Sequence, residues 1–172
     1  MRTLPLALAV RPAAAQDAEA LGALIDRCSP DTLYRRFHGA GERPARRELA
    51  RVADPTPNHR SFVAVSPGGE IRGTATLAWG RDGSVEAAFL VEDAWFRRGV
   101  GRALYAALSR EARRAGLTTV TATVQADNER AIRFLLSVAP GARSRFAGGA
   151  EVALTIPVRP ASAGAAPAEE AA

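Results

Sequence analysis

Residues 84 to 116 constrain this chain most: a strand pattern runs through a basic, glycine-rich turn into a helix pattern. Val85, Ala87, Phe89 and Val91 alternate with Glu86, Ala88 and Leu90. That period of two reads as a strand with one apolar and one mixed face. From Arg102 to Ala115 the chain is rich in Ala, Leu and Arg, and Gly116 is a natural stop, so this part reads as a helix. Between them lies Arg97-Arg98-Gly99-Val100-Gly101-Arg102. Gly99 and Gly101 let backbone N–H groups approach a ligand with no Cβ in the way. The helix start adds unsatisfied donors and partial positive charge, so the junction suits a phosphate or pyrophosphate. A Walker A loop needs a lysine, and all 23 basic residues here are arginine, which excludes that class. A dinucleotide fingerprint needs Gly or Ala where Leu104 stands, and it belongs in a first βα unit rather than mid-chain. A plain tight turn stays open.

The 172 residues suffice for one domain with a proper core, expected over residues 1–158. The lone Cys28 allows no intramolecular disulfide, which points to a reducing compartment, and we expect the cytoplasm. Cys28 lies in an apolar helical pattern, so a buried structural thiol is expected rather than a nucleophile. With two histidines only, a His-based metal site is not expected, and no metal is assigned. The net charge of +5 rests on arginine alone, and Arg35, Arg36, Arg43, Arg46, Arg47 and Arg51 crowd one region. They form a solvated helical face, or they attract an anionic ligand or partner. Aromatics make up 6% and do not interleave with the basic residues, so nucleic-acid binding is not expected. The start imitates a signal peptide, yet Arg11 separates the apolar run Leu4 to Val10 from any cleavage site. Leu6 to Pro12 therefore reads as a first strand. No run is long enough to span a membrane.

Three helical stretches follow. Asp17 can cap the first, whose apolar residues Ala20, Leu21, Leu24, Ile25 and Cys28 keep helical spacing. Ser29-Pro30-Asp31 starts the second, where Tyr34 and Phe37 read as core rings at i and i+3. The third, about Ala45 to Ala53, is ended by Pro55 and Pro57. Strands at Ser61–Ser66 and Ile71–Trp79 lead through tight turns into the central strand as an antiparallel meander. Thr118 to Val124 is a further strand, parallel to the central one because a helix intervenes. Asp127-Asn128 caps a helix at about 129–138, and two strands near 142–146 and 151–158 close the sheet. The Ala/Pro/Glu tail 159–172 has little to bury and is expected to be disordered.

V-E-D-A-W-F-R-R-G-V-G-R-A-L resembles motif A of the GNAT superfamily of N-acetyltransferases, whose core is Q/R-x-x-G-x-G/A. Glu86, Asp93, Trp95, Arg98, Gly99 and Gly101 fall in matching places, whereas Phe96 stands where the family has Gln or Arg. The order β-α-α-β-β-β-α-β-α-β-β is also that of the family and extends the resemblance over roughly residues 6–158. The resemblance implies an α/β fold with a central mixed, mostly antiparallel sheet flanked by helices and a splayed parallel pair at its centre. It implies acetyl-CoA as co-substrate, with the pyrophosphate on Arg97, Arg98, Gly99, Val100, Gly101 and Arg102. The pantetheine would lie on the splayed edge at Phe89, Leu90 and Val91, in the manner of an added strand. Asn128, with Ala131, matches the family's N-x-x-A-x-x pattern and approaches the cofactor, caps its helix, or does both.

S-P-D-T-L-Y-R-R-F resembles a segment of the Pat-type protein lysine acetyltransferases, a branch of that superfamily. The implied partner is an amine acceptor, a protein lysine in the first place. A small-molecule amine acetyltransferase and a degenerate acyl-CoA-binding regulatory module are the alternatives. An amine with a pKa near ~10.4 must lose a proton before it attacks. Glu86 holds the position of the Pat-type catalytic glutamate and is the candidate base, directly or through water; an edge carboxylate or a partner for an arginine is the other reading. A backbone N–H of Leu90 or Val91 is the implied oxyanion donor. The tyrosine that many family members use as acid is Leu135 here, and Pat-type members are thought to lack it too. Monomer and dimer are both compatible with the sequence, which, holding no lysine, offers no side chain for self-acetylation.

Overall fold

Seven strands and five helices form the chain in a computed structural model that describes residues 8–37, 42–54 and 56–158, side chains of 42–44 excepted. Strand β1 (Ala9–Pro12) is followed by helices α1 (Ala18–Arg27), α2 (Pro30–Phe37) and α3 (Glu42–Ala53). The meander β2 (His59–Val65), β3 (Ile71–Trp79) and β4 (Val85–Val91) comes next. Then follow α4 (Val100–Arg114), β5 (Thr119–Gln125), α5 (Glu129–Val138), β6 (Arg143–Gly148) and β7 (Glu151–Pro157). Three helices thus separate β1 from β2, one more than the family order given above. The expected strand start at Leu6 and the tail 159–172 lie outside the described residues.

The strands form one mixed sheet in the order β1-β2-β3-β4-β5-β7-β6. Every neighbouring pair is antiparallel except β4 and β5, the parallel pair expected from the intervening helix. Their register holds a single pair, Glu86 with Thr121, whose Oγ1 donates to the Val85 carbonyl at 3.2 Å. Beyond Glu86 the two strands splay, and among the described residues β4 pairs only with β3 up to Val91.

The period of two in β4 separates two cores. Val85 and Ala87 join Val100, Leu104 and Leu108 of α4 on one face of the sheet. Leu90 joins Leu21, Leu24 and Ile25 of α1 and Leu49 and Val52 of α3 on the other. Glu86 and Ala88 alternate in phase with Leu90, so Glu86 projects on the α1–α3 side.

Two local expectations are corrected. Tyr34 is 56% exposed while Phe37 is 6% exposed. The inward stripe of α2 runs through Leu33 and Phe37, four apart, and Tyr34 lies one position off it. Asp17 starts α1, but its carboxylate does not cap it. It accepts from Arg11 Nη1 and Nη2 at 2.7 and 2.6 Å and from the Ala14 N–H at 2.9 Å, tying β1 to the helix start. Cys28 is buried, and desolvation, followed by the nearby charges of Asp93 and Glu92, pushes its thiol up to about 12. It stays a protonated structural residue.

Candidate active site

The turn after β4 is held from below by two acids. Glu92 is buried and accepts from Arg27 Nε at 2.9 Å and from Arg72 Nη1 at 2.9 and 3.1 Å. Asp93 accepts from the Ser29 N–H and Oγ at 2.7 Å each and from Thr32 Oγ1 at 2.8 Å. Burial pushes the Asp93 carboxyl up, but the hydrogen bonds from Ser29 and Thr32 outweigh it and hold the group below its ordinary value. Ser29 also caps α2, its Oγ accepting from the Thr32 N–H at 3.2 Å. One carboxylate therefore fixes both the wall helix and the start of the basic turn.

In that turn Arg97 and Gly99 adopt positive φ, 61° and 85°. Gly99 is the residue before α4, so the first-turn N–H groups of Val100, Gly101 and Arg102 have no intrahelical acceptor. Successive free backbone donors of this kind can make a concavity that suits an anion. Gly101 also packs closely: a Cβ there would stand 3.0 Å from the Phe134 ring of α5, which would have to shift.

A cleft of about 780 Å³ runs from this turn along the splayed edge of β4 to α2 and α3. At the turn end it is lined by Phe89, Leu90, Val91, Arg97, Gly99, Gly101, Arg102 and Asn128, eight of the ten residues assigned from sequence to the cofactor. The side chains of the other two stand elsewhere. Val100 is buried in the core with Leu104, and Arg98 lies over the Trp95 ring at 5.6 Å. Asn128 caps α5, its Oδ1 accepting from the Ala131 N–H at 3.2 Å, while it also lines the cleft, so both readings of it are compatible. Phe89 and Phe134 meet edge to face at 6.0 Å across the cleft wall.

Glu86 lines the far end, exposed, and among the described residues no cation lies within ion-pairing distance of it. Among the described residues it is therefore no arginine's partner. Arg35, Arg36, Glu48, Arg51 and His59 line the same cleft. Arg36 pairs with Glu48 at 3.0 Å, and Arg35 bridges Asp31 and Asp127 at 2.9 and 3.1 Å, joining α2 to the β5–α5 turn. Part of the arginine cluster therefore lines the cleft rather than a solvated face.

Three ionisable lining residues, His59, Glu48 and Arg130, were not singled out from sequence. His59 follows a proline-rich stretch and precedes the strand start inferred at Ser61. Glu48 faces the cleft, as does Arg51 of the arginine cluster, because α3 packs along β2. Arg130 opens α5, and its guanidinium carbon lies 4.0 Å over the Phe96 ring. A basic residue two positions past Asn128 was the available signal. Leu135, in the position of the family's tyrosine, is buried and lines the cleft. Among the described residues no group of three or more metal-ligating side chains occurs, and no helix is long and apolar enough to cross a membrane.

Residues 26–138 match the family model described as Acetyltransferase (GNAT) family. The chain is similar to the GNAT domain of S. lividans PAT, with 26% identity over 86% of this chain and 89% of that one and a TM-score of 0.76. It is similar to a cAMP-binding acyltransferase from Mycobacterium smegmatis, with 26% identity over 89% of this chain but 44% of that one and a TM-score of 0.59. PaiA N-acetyltransferase from Thermoplasma acidophilum, solved in complex with coenzyme A, shares the fold at 12% identity, covering 88% of this chain and 99% of that one with a TM-score of 0.71. No curated protein matches.

Proposed function

The chain belongs to the GNAT acetyltransferase family, and we propose that it transfers the acetyl group of acetyl-CoA to a primary amine, a protein lysine in the first place. The observation that carries this reading is the Glu86 carboxylate, unpaired among the described residues, on the cleft floor where β4 parts from β5. The turn from Arg97 to Arg102 fits a pyrophosphate, because its N–H groups lack acceptors and Gly101 leaves no Cβ. When bound, acetyl-CoA supplies an activated acyl group on a good leaving thiolate. The unpaired edge of β4 offers backbone donors and acceptors to an extended amide chain. Glu86 takes a proton from the incoming amine, and the N–H of Leu90 or Val91 is the oxyanion donor. With Leu135 in place of a hydroxyl, no side chain of α5 serves as acid, and the thiolate takes up its proton from water.

The likeness of S-P-D-T-L-Y-R-R-F to the Pat-type segment, together with the similarity to the GNAT domain of S. lividans PAT, supports a protein lysine over a small amine. The buried, unpaired Cys28 supports a reducing, cytoplasmic setting. Calorimetric titration with acetyl-CoA, followed by turnover assays on lysine peptides and on small amines, tests the reading. Glu86→Gln is expected to lower kcat by about 100-fold or more and to change the acetyl-CoA Kd by less than about twofold. Full turnover by Glu86→Gln would refute the base assignment. Turnover of small amines alone moves the acceptor to that class, and absence of acetyl-CoA binding leaves a regulatory module.

A further inference from the structure

His59 stands at the acceptor end of the cleft and has no part in the chemistry assigned to Glu86. Strand register puts it there: His59 of β2 pairs with Ala78 of β3, and Ala78 pairs with Glu86 of β4. Residues directly opposite one another in neighbouring strands project from the same face. His59 and Glu86 therefore flank the methyl group of Ala78, two strand spacings or about 10 Å apart at Cα. All three line the cleft. The next row, Ser61, Thr76 and Ala88, lines it too and carries the Ser61 and Thr76 hydroxyls 3.0 Å apart.

The imidazole is half-buried, and its Nδ1 lies 3.2 Å from Thr56 Oγ1, which leaves Nε2 without a protein partner among the described residues. The charged groups that line the cleft from α2, α3 and β4 are Arg35, held by Asp31 and Asp127, the mutually paired Arg36 and Glu48, Arg51, and Glu86. Arg60, the next residue of β2, projects to the opposite face, over the Trp79 ring at 5.9 Å and toward Glu111 at 3.5 Å. Glu86 is thus the carboxylate that shares the sheet row of His59, and only a methyl group stands between them.

We propose that His59 is the outlet for the acceptor's proton. Glu86 takes a proton from the ammonium form of the acceptor and passes it through a water above Ala78 to His59 Nε2, which releases it to solvent. A carboxylate–water–imidazole bridge spans roughly 5–6 Å in two hydrogen bonds of ordinary length, which suits side chains leaning toward each other over an alanine. The balance is simple. The acceptor R–NH3+ loses two protons as its nitrogen bonds to the acetyl carbon and the carbon–sulfur bond breaks. One proton ends on the departing thiolate, giving the free thiol of CoA; the other leaves through Glu86 and His59, and both groups return to their starting states. This role deepens the acetyl-transfer reading and rests on Glu86 as the base.

His59→Gln keeps a polar side chain that cannot carry the proton onward. Its kcat is expected to fall roughly 10- to 100-fold, while the acetyl-CoA Kd by calorimetry stays within about twofold. Free imidazole is expected to restore part of kcat in His59→Ala and none in Glu86→Gln. A readout without turnover comes from ring nitrogen NMR, because the chain has only His38 and His59. Glu86→Gln is expected to shift the His59 ring resonances at fixed pH, with the His59→Gln spectrum providing the assignment. A His59→Gln enzyme with wild-type kcat beside an inactive Glu86→Gln overturns the relay and leaves the base assignment standing. If both variants turn over normally, the base assignment falls as well. A His59→Gln variant that loses acetyl-CoA binding or melting temperature without imidazole rescue overturns the relay in favour of a structural role.

Discussion

At Phe96 the side chain that the family uses beside the phosphate turn is absent, yet the position is not without charge. Arg130 lies with its guanidinium 4.0 Å over the Phe96 ring and lines the cleft. Its neighbour Glu129 is engaged with Arg133 at 2.8 Å, so the Arg130 charge has no carboxylate partner among the described residues. The ring fixes the guanidinium by a cation–π contact worth about 0.5–1 kcal/mol at an exposed site. A cation held there meets the anionic end of a CoA molecule without first leaving an ion pair. We expect Arg130→Ala to weaken CoA binding about 5- to 10-fold, roughly 1 kcal/mol. The loss should shrink as salt is raised, because the contact is exposed and screened. Calorimetry of CoA at low and high ionic strength checks this, and an unchanged Kd would remove Arg130 from the site.

The turn after β4 is an element in its own right, since it joins both cores to the cleft. Glu92 draws Arg27 from α1 and Arg72 from β3 onto one carboxylate, and Arg27 Nη2 also donates to the Ile71 carbonyl at 2.7 Å. A buried pair adds little over a good apolar replacement, but removing one partner leaves uncompensated charge in the interior. Glu92→Gln leaves two cations facing a neutral amide. It should cost about 3 kcal/mol or more of unfolding free energy, read as a lower urea midpoint with unchanged slope. Glu92 does not line the cleft, so the folded variant should still bind acetyl-CoA. A midpoint shift below about 1 kcal/mol would show that solvent reaches these arginines.

Across the whole molecule, two aspartates hold segments distant from each other in the sheet. Hydrogen bonds from Arg11 hold the Asp17 carboxyl below its ordinary value of 3.8, and those from Ser29 and Thr32 do the same for Asp93 against the opposing effect of burial. Both carboxyls bind protons more weakly folded than unfolded. Their contribution is therefore fully present above the ordinary value and is lost as pH falls through the depressed folded values. Chemical denaturation from neutral pH downward should show stability flat above about pH 5 in this respect and falling below about pH 4. The Asp93→Asn variant, less stable at neutral pH, should show a shallower fall, whereas an identical slope would deny the linkage.

How much could be read in the chain differs by the range of the interaction that fixes it. Alternation at 85–91, the glycines at 99 and 101 and the caps at Ser29 and Asn128 are local, because φ/ψ preference and hydrogen bonding to near neighbours decide them. From these the strand–turn–helix unit and the parallel pair of the mixed sheet were legible, and eight of the ten residues assigned from sequence to the cofactor line one cleft. Tyr34 went wrong by one position on a short helix whose burial is set by its partners. Asp17 went wrong because Arg11, on another element, outcompeted the helix end for its carboxylate. His59 could not be found locally at all: its place beside Glu86 depends on the register of three strands, and register comes from contacts far apart in sequence. The same holds for Arg130 over Phe96, where a residue of the turn before α4 meets one in the first turn of α5, 34 positions on. Residue order alone determined the strand–turn–helix unit and the alternation that sets Glu86 on the face opposite Val85 and Ala87. Packing across the sheet decided what stands around that carboxylate.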